Sequence, residues 1–403
     1  MDAFLVDGIR TPIGSFGGTL STVRTDDLAA LTISELLKRN PGLDPSSIGD
    51  VILGCANQAG EDNRNVARMA GLLAGLPVTV PGETINRLCA SGLAAATNAA
   101  RMLAVGDADI VVAGGVENMT RGPWVMSKAS KPFGRDSQMH DSSFGWRFIN
   151  PKLEKIYGVD GMGVTAENLV DLHGISREDQ DAFSYNSQMK ATLARGQSIL
   201  AEEIVHVAIP IRKQADMIFQ HDEFIRSGTT LDILSKLRPA FRKEGGSVTA
   251  GNSSGLNDGS AALLLANEQG LKSQGLEPLA EIISSAVVGV EPRIMGVGPV
   301  KASEMALQRA GLTFSDLDVI ELNEAFSAQA LACIRSWGLA DDDARINPNG
   351  GGISLGHPLG MTGSRILLTA AKQLKRTGGK YGLVTLCIGV GQGYAVIIKN
   401  TAV

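Results

Sequence analysis

The stretch GLDPSSIGDVI, from Gly42 to Ile52, returns later in this 403-residue chain as GLTFSDLDVI, from Gly311 to Ile320. Each stretch is preceded by a segment with apolar residues at helical spacing, LTISELLKRN in the first case and SEMALQRA in the second. Similarity over so long a separation is typical of an internal duplication, and a duplication determines the fold if it continues along the chain.

The separation of 268 residues between the two stretches is kept further along the chain. It pairs Asp50 with Asp318, and it also pairs Cys89 with His357. Both partners of the second pair are followed by a small-residue helical pattern, ASGLAAATNAARM and PLGMTGSRILLTAAKQ, and then by a short apolar strand, IVVAG and LVTLC. Apolar strands without alternation are typical of a sheet covered by helices on both faces. The sequence therefore predicts two similar α/β halves.

The two halves differ in one connection, where the first half contains 139 more residues than the second. We assign this surplus to an insertion over residues 119–244, which leaves 1–118 with 245–269 as the first half and 270–403 as the second. The insertion holds 17 of the 37 Lys and Arg residues and a long helical pattern, REDQDAFSYNSQMKATLARG. We expect it to form a slightly basic cap over the junction, with Cys89 and His357 near the approximate twofold axis.

The composition is that of an ordinary globular protein, with 44% hydrophobic and 20% charged residues. No apolar run approaches the ~20 residues that cross a bilayer. The amino-terminal sequence MDAFLVDGIRTPIG contains charged residues and a proline too near its start for a signal peptide. We therefore expect a cytoplasmic protein without a membrane partner. A net charge of -5 without a basic tract argues against nucleic acid as a partner.

The cysteines, Cys55, Cys89, Cys333 and Cys387, show no C-x-x-C spacing and no histidine at ligand spacing. This arrangement predicts reduced thiols, without a zinc cluster or a disulfide framework. The default interpretation of each is a small buried apolar residue.

Cys89 is a candidate nucleophile because it immediately precedes a helix. Free N–H groups and the dipole at a helix start favour negative charge, and we expect the thiol pKa to lie below its usual value. His357 stands in a glycine-rich turn, NPNGGGISLGHPLGMTG, that also leads into a helix, whereas the other histidines lie in the polar insertion. A base beside a thiol is the arrangement that activates a nucleophile.

Two other motifs leave alternatives open. Cys387 ends an apolar strand before IGVGQG, whose backbone N–H groups could bind an oxyanion or simply form a hairpin. That loop is not a dinucleotide motif, because a strand and not a helix follows it. GNSSG, with Ser253 at its centre, has the spacing of a serine hydrolase elbow, but no helix follows, and we favour a narrow wall for an extended ligand.

Five blocks of this sequence, in order, resemble those of the thiolase family: NRLCASG, TAGNSSGLNDG, ELNEAFSAQ, NPNGGGISLGHPLGMTG and CIGVGQG. The resemblance covers essentially the whole chain. It implies two five-stranded βαβαβαββ halves with a loop domain inserted in the first, in agreement with the duplication. It also implies a homodimer or a homotetramer.

The resemblance implies a role for each reactive residue. Cys89 would be the acylated nucleophile, His357 its activator, and Cys387 the acid and base for the α-carbon proton. Asn323 would hold a water that forms one oxyanion hole with His357, and the N–H groups of Cys89 and Gly389 would form another. Glu324 either orients groups in the pocket or is a buried carboxylate held by hydrogen bonds.

The resemblance further implies coenzyme A as co-substrate, with no permanently bound cofactor and no metal. Ser254 would contact the pantetheine arm, Arg226 the nucleotide, and Met162 the acyl chain. The remaining substrate-binding positions would be Ala250, Ala325 and Phe326.

The amino-terminal third and the segment FGWRFINP resemble the family members that cleave 3-oxoadipyl-CoA to succinyl-CoA and acetyl-CoA. Two segments depart from that group, GMGVTAEN and DEFIRSGTTLDILSKLRPAF, and the latter is more similar to the acetoacetyl-CoA type. Acetoacetyl-CoA is therefore the alternative substrate, and a non-catalytic acyl-CoA-binding relative is a remote alternative. The cations that could meet a distal carboxylate are Arg121, Lys128, Arg147 and Arg226.

Overall fold

The computed structural model describes residues 2–403 and contains one large sheet covered by helices on both faces. Its strands are β1 (Phe4–Arg10), β2 (Gly14–Ser15), β3 (Asp50–Gly54), β4 (Glu83–Ile85), β5 (Ile110–Asn118), β6 (Trp124–Met126), β7 (Met139–Asp141), β8 (Val207–Ile209), β9 (Met217–Phe219), β10 (Asn257–Ala266), β11 (Ala280–Gly289), β12 (Val319–Leu322), β13 (Tyr381–Ile388) and β14 (Gln392–Asn400). Its helices are α1 (Thr25–Arg39), α2 (Val66–Leu73), α3 (Ser91–Val105), α4 (Pro151–Tyr157), α5 (Met162–His173), α6 (Arg177–Gly196), α7 (Leu231–Ser235), α8 (Glu268–Gln274), α9 (Gly298–Ala310), α10 (Ser327–Ser336), α11 (Gly352–Leu355) and α12 (Leu359–Thr377).

The strand order shows the predicted duplication. In the first half the order is β4-β3-β5-β10-β1, with β3 parallel to both neighbours and β10 antiparallel to both of its own. The second half has the order β12-β13-β14-β11, with β12 parallel to β13 and β14 antiparallel to its neighbours. In the second half, a single parallel bridge between Ile320 of β12 and Ile346 corresponds to the pairing of β3 with β4 in the first half. The two halves join through β1 and β11 into one continuous sheet.

The helices and the two half-sheets form five layers. One apolar core contains residues of α3 and α12 together with strands of both halves, so these two helices lie between the half-sheets. A second core covers the outer face of the first half with α1 and α2, and a third covers that of the second half with α9 and α10. Strand β5 contributes alternate residues to two cores, Val111 to the central one and Val112 to the outer one. Both faces are buried, which explains the unalternating apolar strands of the sequence.

Helices α3 and α12 approach closely at their first turns because both carry glycine there. A Cβ on Gly92 would lie 2.6 Å from the carbonyl oxygen of Gly360, and one on Gly363 would lie 2.2 Å from the amide nitrogen of Leu93. Residues Cys89 and His357 immediately precede these contacts in their two halves. The crossing of the two helices therefore brings the segment of Cys89 and the segment of His357 together.

The segment Leu88–Val105, which includes α3, is long and apolar enough by composition to cross a bilayer. Within the fold 61% of it is buried, in the layer between the half-sheets. We therefore assign this segment to the protein core.

The chain between β5 and β10 holds β6 to β9 and α4 to α7. Strands β6 and β7 pair as one small antiparallel sheet, and β8 and β9 pair as another. Helix α6 covers the same residues as the predicted helical pattern, Arg177–Gly196. Its first turn is capped by Ser176, which accepts a hydrogen bond from the N–H of Asp179 at 3.0 Å.

Candidate active site

Cys89 lies in a 3₁₀ turn, Leu88–Ala90, immediately before α3. Leu88 has a φ of 47°, a left-handed conformation that costs a non-glycine residue about 1–3 kcal/mol. Two side chains hold the turn: Asn86 accepts a hydrogen bond from the N–H of Leu88 at 3.0 Å, and Ser91 donates one to the carbonyl of Leu88 at 2.7 Å. A strained turn, held by the side chains of Asn86 and Ser91, thus sets the position of the Cys89 sulfur.

The thiol of Cys89 is protonated at neutral pH. Burial raises its pKa to about 11, and the backbone N–H groups of Gly389 and of Cys89 itself act in the opposite direction. The expectation of a lowered pKa is therefore wrong for the free protein, because loss of solvation outweighs the favourable field at the helix start. Those N–H groups nevertheless favour any negative charge that develops beside the sulfur.

His357 is held in one tautomer by the residues that follow it. The hydroxyl of Thr362 donates its proton to the carbonyl of Pro358 at 2.8 Å, so the oxygen of Thr362 accepts from Nδ1 of His357 at 2.7 Å. The backbone N–H of His357 donates to the side-chain oxygen of Asn257 at 3.0 Å, which fixes the direction of the chain as it leads into α12. Nε2 is therefore unprotonated, and its lone pair accepts a hydrogen bond from the side-chain nitrogen of Asn323 at 3.3 Å.

The imidazole of His357 is neutral. Burial lowers its pKa to about 3, and the positive charge of Arg365, two turns further along α12, lowers it further. A neutral imidazole with its lone pair on Nε2 is a proton acceptor, which is the state that a general base needs.

Cys387 lies in the second-last position of β13 and is completely buried. Burial raises the pKa of its thiol, and the neighbouring Cys89 acts in the same direction. The hairpin that follows places Gly389 beside the nucleophile turn, since a Cβ on Gly389 would lie 3.3 Å from the side chain of Leu88. Val390 at the hairpin tip has a φ of 64°, a strained conformation for a β-branched residue. The structure therefore brings the second cysteine and the Gly389 amide next to Cys89.

Asn323 and Glu324 follow β12, but they differ in their hydrogen bonds. The side-chain oxygen of Asn323 is buried and has no partner in the described part of the chain. The carboxylate of Glu324 accepts from Asn347 at 2.7 Å, from Ser187 at 2.7 Å and from the N–H of Ile353 at 3.2 Å. Glu324 is thus a fully satisfied buried carboxylate, whereas the side-chain oxygen of Asn323 keeps a free acceptor while its side-chain nitrogen faces His357.

Sequence reasoning missed Glu117, the buried carboxylate near the end of β5. It accepts hydrogen bonds from the N–H groups of Ala56 at 2.9 Å and Asn57 at 3.0 Å in the first half, and from that of Gly360 at 2.8 Å in the second. The carbonyl of Ala56 in turn accepts from Asn86, which supports the Cys89 turn. Burial raises the pKa of Glu117 to about 7. One carboxylate therefore connects the cysteine segment to the histidine segment.

Cys55 and Asp62 place their ligand atoms within 4.8 Å of those of Glu117. These three side chains could together hold a metal ion, a site that the spacing of cysteines and histidines in the sequence does not predict. Both oxygens of Glu117 already accept backbone hydrogen bonds. We therefore interpret the cluster as a structural group of hydrogen-bonded side chains.

Three of the predicted substrate-binding residues lie beside the reactive cysteines. Ala325 and Phe326 belong to the same small apolar cluster as Cys387. Met162 is half-buried at the start of α5, and its sulfur lies 3.8 Å from the position that a Cβ on Gly389 would take. These side chains therefore lie around Cys387 and Gly389.

The other predicted substrate-binding residues lie nearer the surface. The N–H of Ser254 donates to the carbonyl of Ala325 at 3.0 Å, and Ala250, four residues earlier, is exposed. Arg226 is exposed, with its guanidinium 5.0 Å from the ring of Phe224. That ring packs against the GNSSG loop, because a Cβ on Gly255 would lie 2.7 Å from it. The loop and Arg226 therefore share one surface.

Ser253 does not have the surroundings of a hydrolase nucleophile. Its hydroxyl donates to the carbonyl of Thr249 at 2.6 Å, and the chain continues into β10 without an intervening helix. The GNSSG loop therefore lacks the geometry of a hydrolase elbow, and its role as a wall for an extended ligand stays a prediction.

Comparisons with known proteins show which proteins this chain is similar to. The family model for the N-terminal domain of thiolase matches residues 3–269, and the model for the C-terminal domain matches residues 276–400. The chain is 57% identical over 399 residues to the 3-oxoadipyl-CoA/3-oxo-5,6-dehydrosuberyl-CoA thiolase of Escherichia coli (strain K12), with 99% of both chains covered. It is 55% identical over 398 residues to a beta-ketoadipyl-CoA thiolase of Acinetobacter baylyi, again covering 99% of each.

Among solved structures, the acetyl-CoA acetyltransferase of Bacillus anthracis matches with a TM-score of 0.89 and 40% identity. The match covers 99% of this chain and 98% of that one.

Proposed function

The chain belongs to the thiolase family and is an acyltransferase, and we propose that it cleaves 3-oxoadipyl-CoA with coenzyme A to give succinyl-CoA and acetyl-CoA. The observation that supports the proposal is that Cys89, Cys387 and the N–H of Gly389 lie together where the helix after Cys89 packs against the helix after the neutral His357. The names of the full-length relatives at 57% and 55% identity support the choice of substrate.

In the first half-reaction we assign the nucleophile to Cys89 and the base to His357. A free thiolate does not form beforehand, because burial raises the pKa of the Cys89 thiol and lowers that of the His357 imidazole, and both shifts oppose proton transfer between them. Proton transfer to Nε2 therefore accompanies attack of the sulfur on the 3-oxo carbonyl. The N–H groups of Cys89 and Gly389 stabilise the oxyanion that develops there.

Breaking the bond between C2 and C3 leaves a succinyl group on Cys89 and the enolate of acetyl-CoA. Nε2 of His357, now protonated, and a water held by Asn323 stabilise the thioester oxygen of that enolate. The thiol of Cys387 protonates its α-carbon, and acetyl-CoA leaves. The thiolate of Cys387 then takes the thiol proton of coenzyme A as the coenzyme A sulfur attacks the succinyl thioester, and His357 returns its proton to the departing sulfur of Cys89. Coenzyme A enters as a co-substrate along Ser254 and Arg226, with Ala250 and Phe326 in the wall.

The test is a substrate panel in the thiolysis direction, with products identified by mass spectrometry. We expect coenzyme A-dependent release of succinyl-CoA from 3-oxoadipyl-CoA, and a succinyl adduct on Cys89 when coenzyme A is withheld. Cys89→Ala should abolish both. Preferred turnover of acetoacetyl-CoA would instead support the acetyl-CoA acetyltransferase alternative, which the solved relative favours. Binding of acyl-CoA without any adduct would support a non-catalytic relative.

We also propose the boundaries 1–118 with 245–269, 119–244, and 270–403 for the two halves and the insertion, and an assembly of two or four copies. The β6–β7 hairpin supports assembly, because it carries large exposed apolar side chains: Trp124, Met126, Phe133 and Met139. Replacing Trp124 and Met126 with polar residues should lower the molar mass measured by light scattering.

A cytoplasmic location fits the four buried free thiols.

A further inference from the structure

The sequence leaves four cations as possible ligands for the distal carboxylate of a dicarboxylic acyl chain, and the structure separates them. Arg121 is already occupied: its guanidinium donates to the carboxylate of Glu61, including one bond of 2.7 Å, and to the carbonyl of Ser21 at 3.0 Å. Arg226 is exposed and lies over Phe224, beside the GNSSG loop. Lys128 is exposed in the β6–β7 hairpin.

Arg147 differs from the other three. It is half-buried, and the one side-chain hydrogen bond found for it among residues 2–403 goes to the carbonyl of Ser142 at 3.3 Å. No carboxylate of the described chain lies within salt-bridge distance of its guanidinium. A half-buried guanidinium without an acidic partner retains most of its capacity for a bidentate bond to a carboxylate.

The segment that carries Arg147 is anchored to the nucleophile turn on one side. The carbonyl of Ser142 also accepts a hydrogen bond from the side chain of Asn57 at 3.0 Å. The residue before Asn57, Ala56, binds Asn86, whose side chain supports the turn of Cys89. Ser142, which accepts the hydrogen bond of Arg147, is therefore connected through Asn57 and Ala56 to Asn86. Asn86 in turn supports the Cys89 turn.

The same segment is anchored to the acyl side of the site at its other end. The indole N–H of Trp146 donates to the carbonyl of Asp160 at 3.3 Å. Two residues further along is Met162, which borders Gly389. Residues 142–162 thus extend from the support of Cys89 to the wall formed by Met162, and Arg147 lies within this span.

We propose that Arg147 binds the distal carboxylate of the acyl chain and so determines the preference for a dicarboxylic 3-oxoacyl-CoA. The inference rests on the proposed function, because an acetoacetyl chain has no such carboxylate. It also explains how the enzyme distinguishes the two substrates without any change in the reactive residues, which contact only the 3-oxo thioester that both share.

The experiment compares Arg147→Gln, Arg147→Lys and the matched control Lys128→Gln with the unaltered enzyme, on 3-oxoadipyl-CoA and on acetoacetyl-CoA. Arg147→Gln should lower kcat/KM for 3-oxoadipyl-CoA by roughly 10²-fold and change that for acetoacetyl-CoA by less than about threefold. Arg147→Lys should recover part of the loss, and Lys128→Gln should leave both values unchanged.

A terminal methyl ester of 3-oxoadipyl-CoA gives an independent measurement. The ester should be a poor substrate for the unaltered enzyme, and Arg147→Gln should not lower its turnover further. An equal loss on all substrates, or an undiminished turnover of 3-oxoadipyl-CoA by Arg147→Gln, would overturn the inference alone. An unaltered enzyme that cleaves acetoacetyl-CoA but not 3-oxoadipyl-CoA would overturn the proposed substrate, and the inference with it.

Discussion

The reactive pair at the centre of this protein is neutral when no substrate is bound. Burial acts on both residues, raising the pKa of the Cys89 thiol to about 11 and lowering that of the His357 imidazole to about 3. A raised thiol pKa means that the thiolate fraction grows with pH throughout the accessible range. The buried thiol is thereby protected from adventitious alkylation until a carbonyl substrate can accept charge in the oxyanion hole.

The pH dependence of alkylation tests the state of Cys89. Because the thiolate is the reacting form, its rate of modification by iodoacetamide should rise about tenfold per pH unit from pH 7 to pH 10. Peptide mass spectrometry of residue 89 gives the rate, with Cys387→Ser used to remove the second site. A rate that levels off near or below pH 8 would show a stable thiolate and contradict the raised pKa.

Thr362 positions the imidazole of His357 and does not touch the substrate. Thr362→Val removes the acceptor of Nδ1–H, so the ring loses its fixed tautomer, and kcat/KM should fall roughly 10- to 100-fold. Thr362→Ser keeps the hydroxyl and should restore most of the activity. The melting temperature of each variant distinguishes misplacement of the ring from unfolding, and an inactive Thr362→Ser with an unchanged melting temperature would argue against this role.

At the residue scale, the sequence indicated which segments carry the candidate reactive groups but not how their environment would tune them. Cys89, His357, Cys387 and Asn323 stand in recognisable blocks, and the offset of 268 residues pairs the first two independently of any resemblance. The direction of the Cys89 pKa shift was wrong because its extent of burial depends on packing across both halves. Glu117 was missed because its partners are backbone amides from distant segments, which leave no residue pattern.

Among the elements, the packing of α3 against α12 depends on glycine. Their first turns are so close that a side chain on Gly92 would overlap the backbone of Gly360. Gly92→Ala should therefore move the two helices apart and destabilise the protein by roughly 1–3 kcal/mol or more, with a loss of activity as Cys89 and His357 separate. Gly42→Ala is the matched control, because a Cβ there meets nothing within 4 Å.

Urea unfolding and thiolysis assays of both variants check this prediction. Equal midpoints for Gly92→Ala and Gly42→Ala would contradict the steric argument.

Element boundaries in the duplicated halves followed from local patterns, and those in the insertion did not. Both central helices end at a glycine in the left-handed conformation, Gly106 and Gly378, which is a local stop signal. The strands β6 to β9 are three residues each and are defined by pairing across long connections. Such short strands have too little alternation to be recognised before their partners are known.

At the scale of the whole molecule, one buried cation connects the insertion to both halves. Arg10 in β1 is fully buried and donates to Glu203 at 2.7 Å and to Asp222 at 2.6 Å and 3.0 Å. Both acids belong to the insertion, and Glu203 also accepts from Thr369 of α12 at 3.0 Å. Strand β1, the chain between β5 and β10, and helix α12 therefore share one network of buried charge.

Removing this cation should leave two buried carboxylates without compensation. Arg10→Met is expected to destabilise the protein by about 3–5 kcal/mol, because the charges that remain keep their cost of desolvation. Arg39→Met is the matched control: its ion pair with Asp7 is partly exposed and should contribute about 1 kcal/mol or less. Urea midpoints, followed by tryptophan fluorescence, give both values. Trp124 and Trp146 lie in the insertion and Trp337 follows α10, so the measurement uses a Trp337→Phe background. In that background, a fluorescence change in Arg10→Met at lower urea than the loss of helical signal would show that the network docks the insertion. Coincident transitions with an undiminished midpoint would mean that apolar packing alone holds it there.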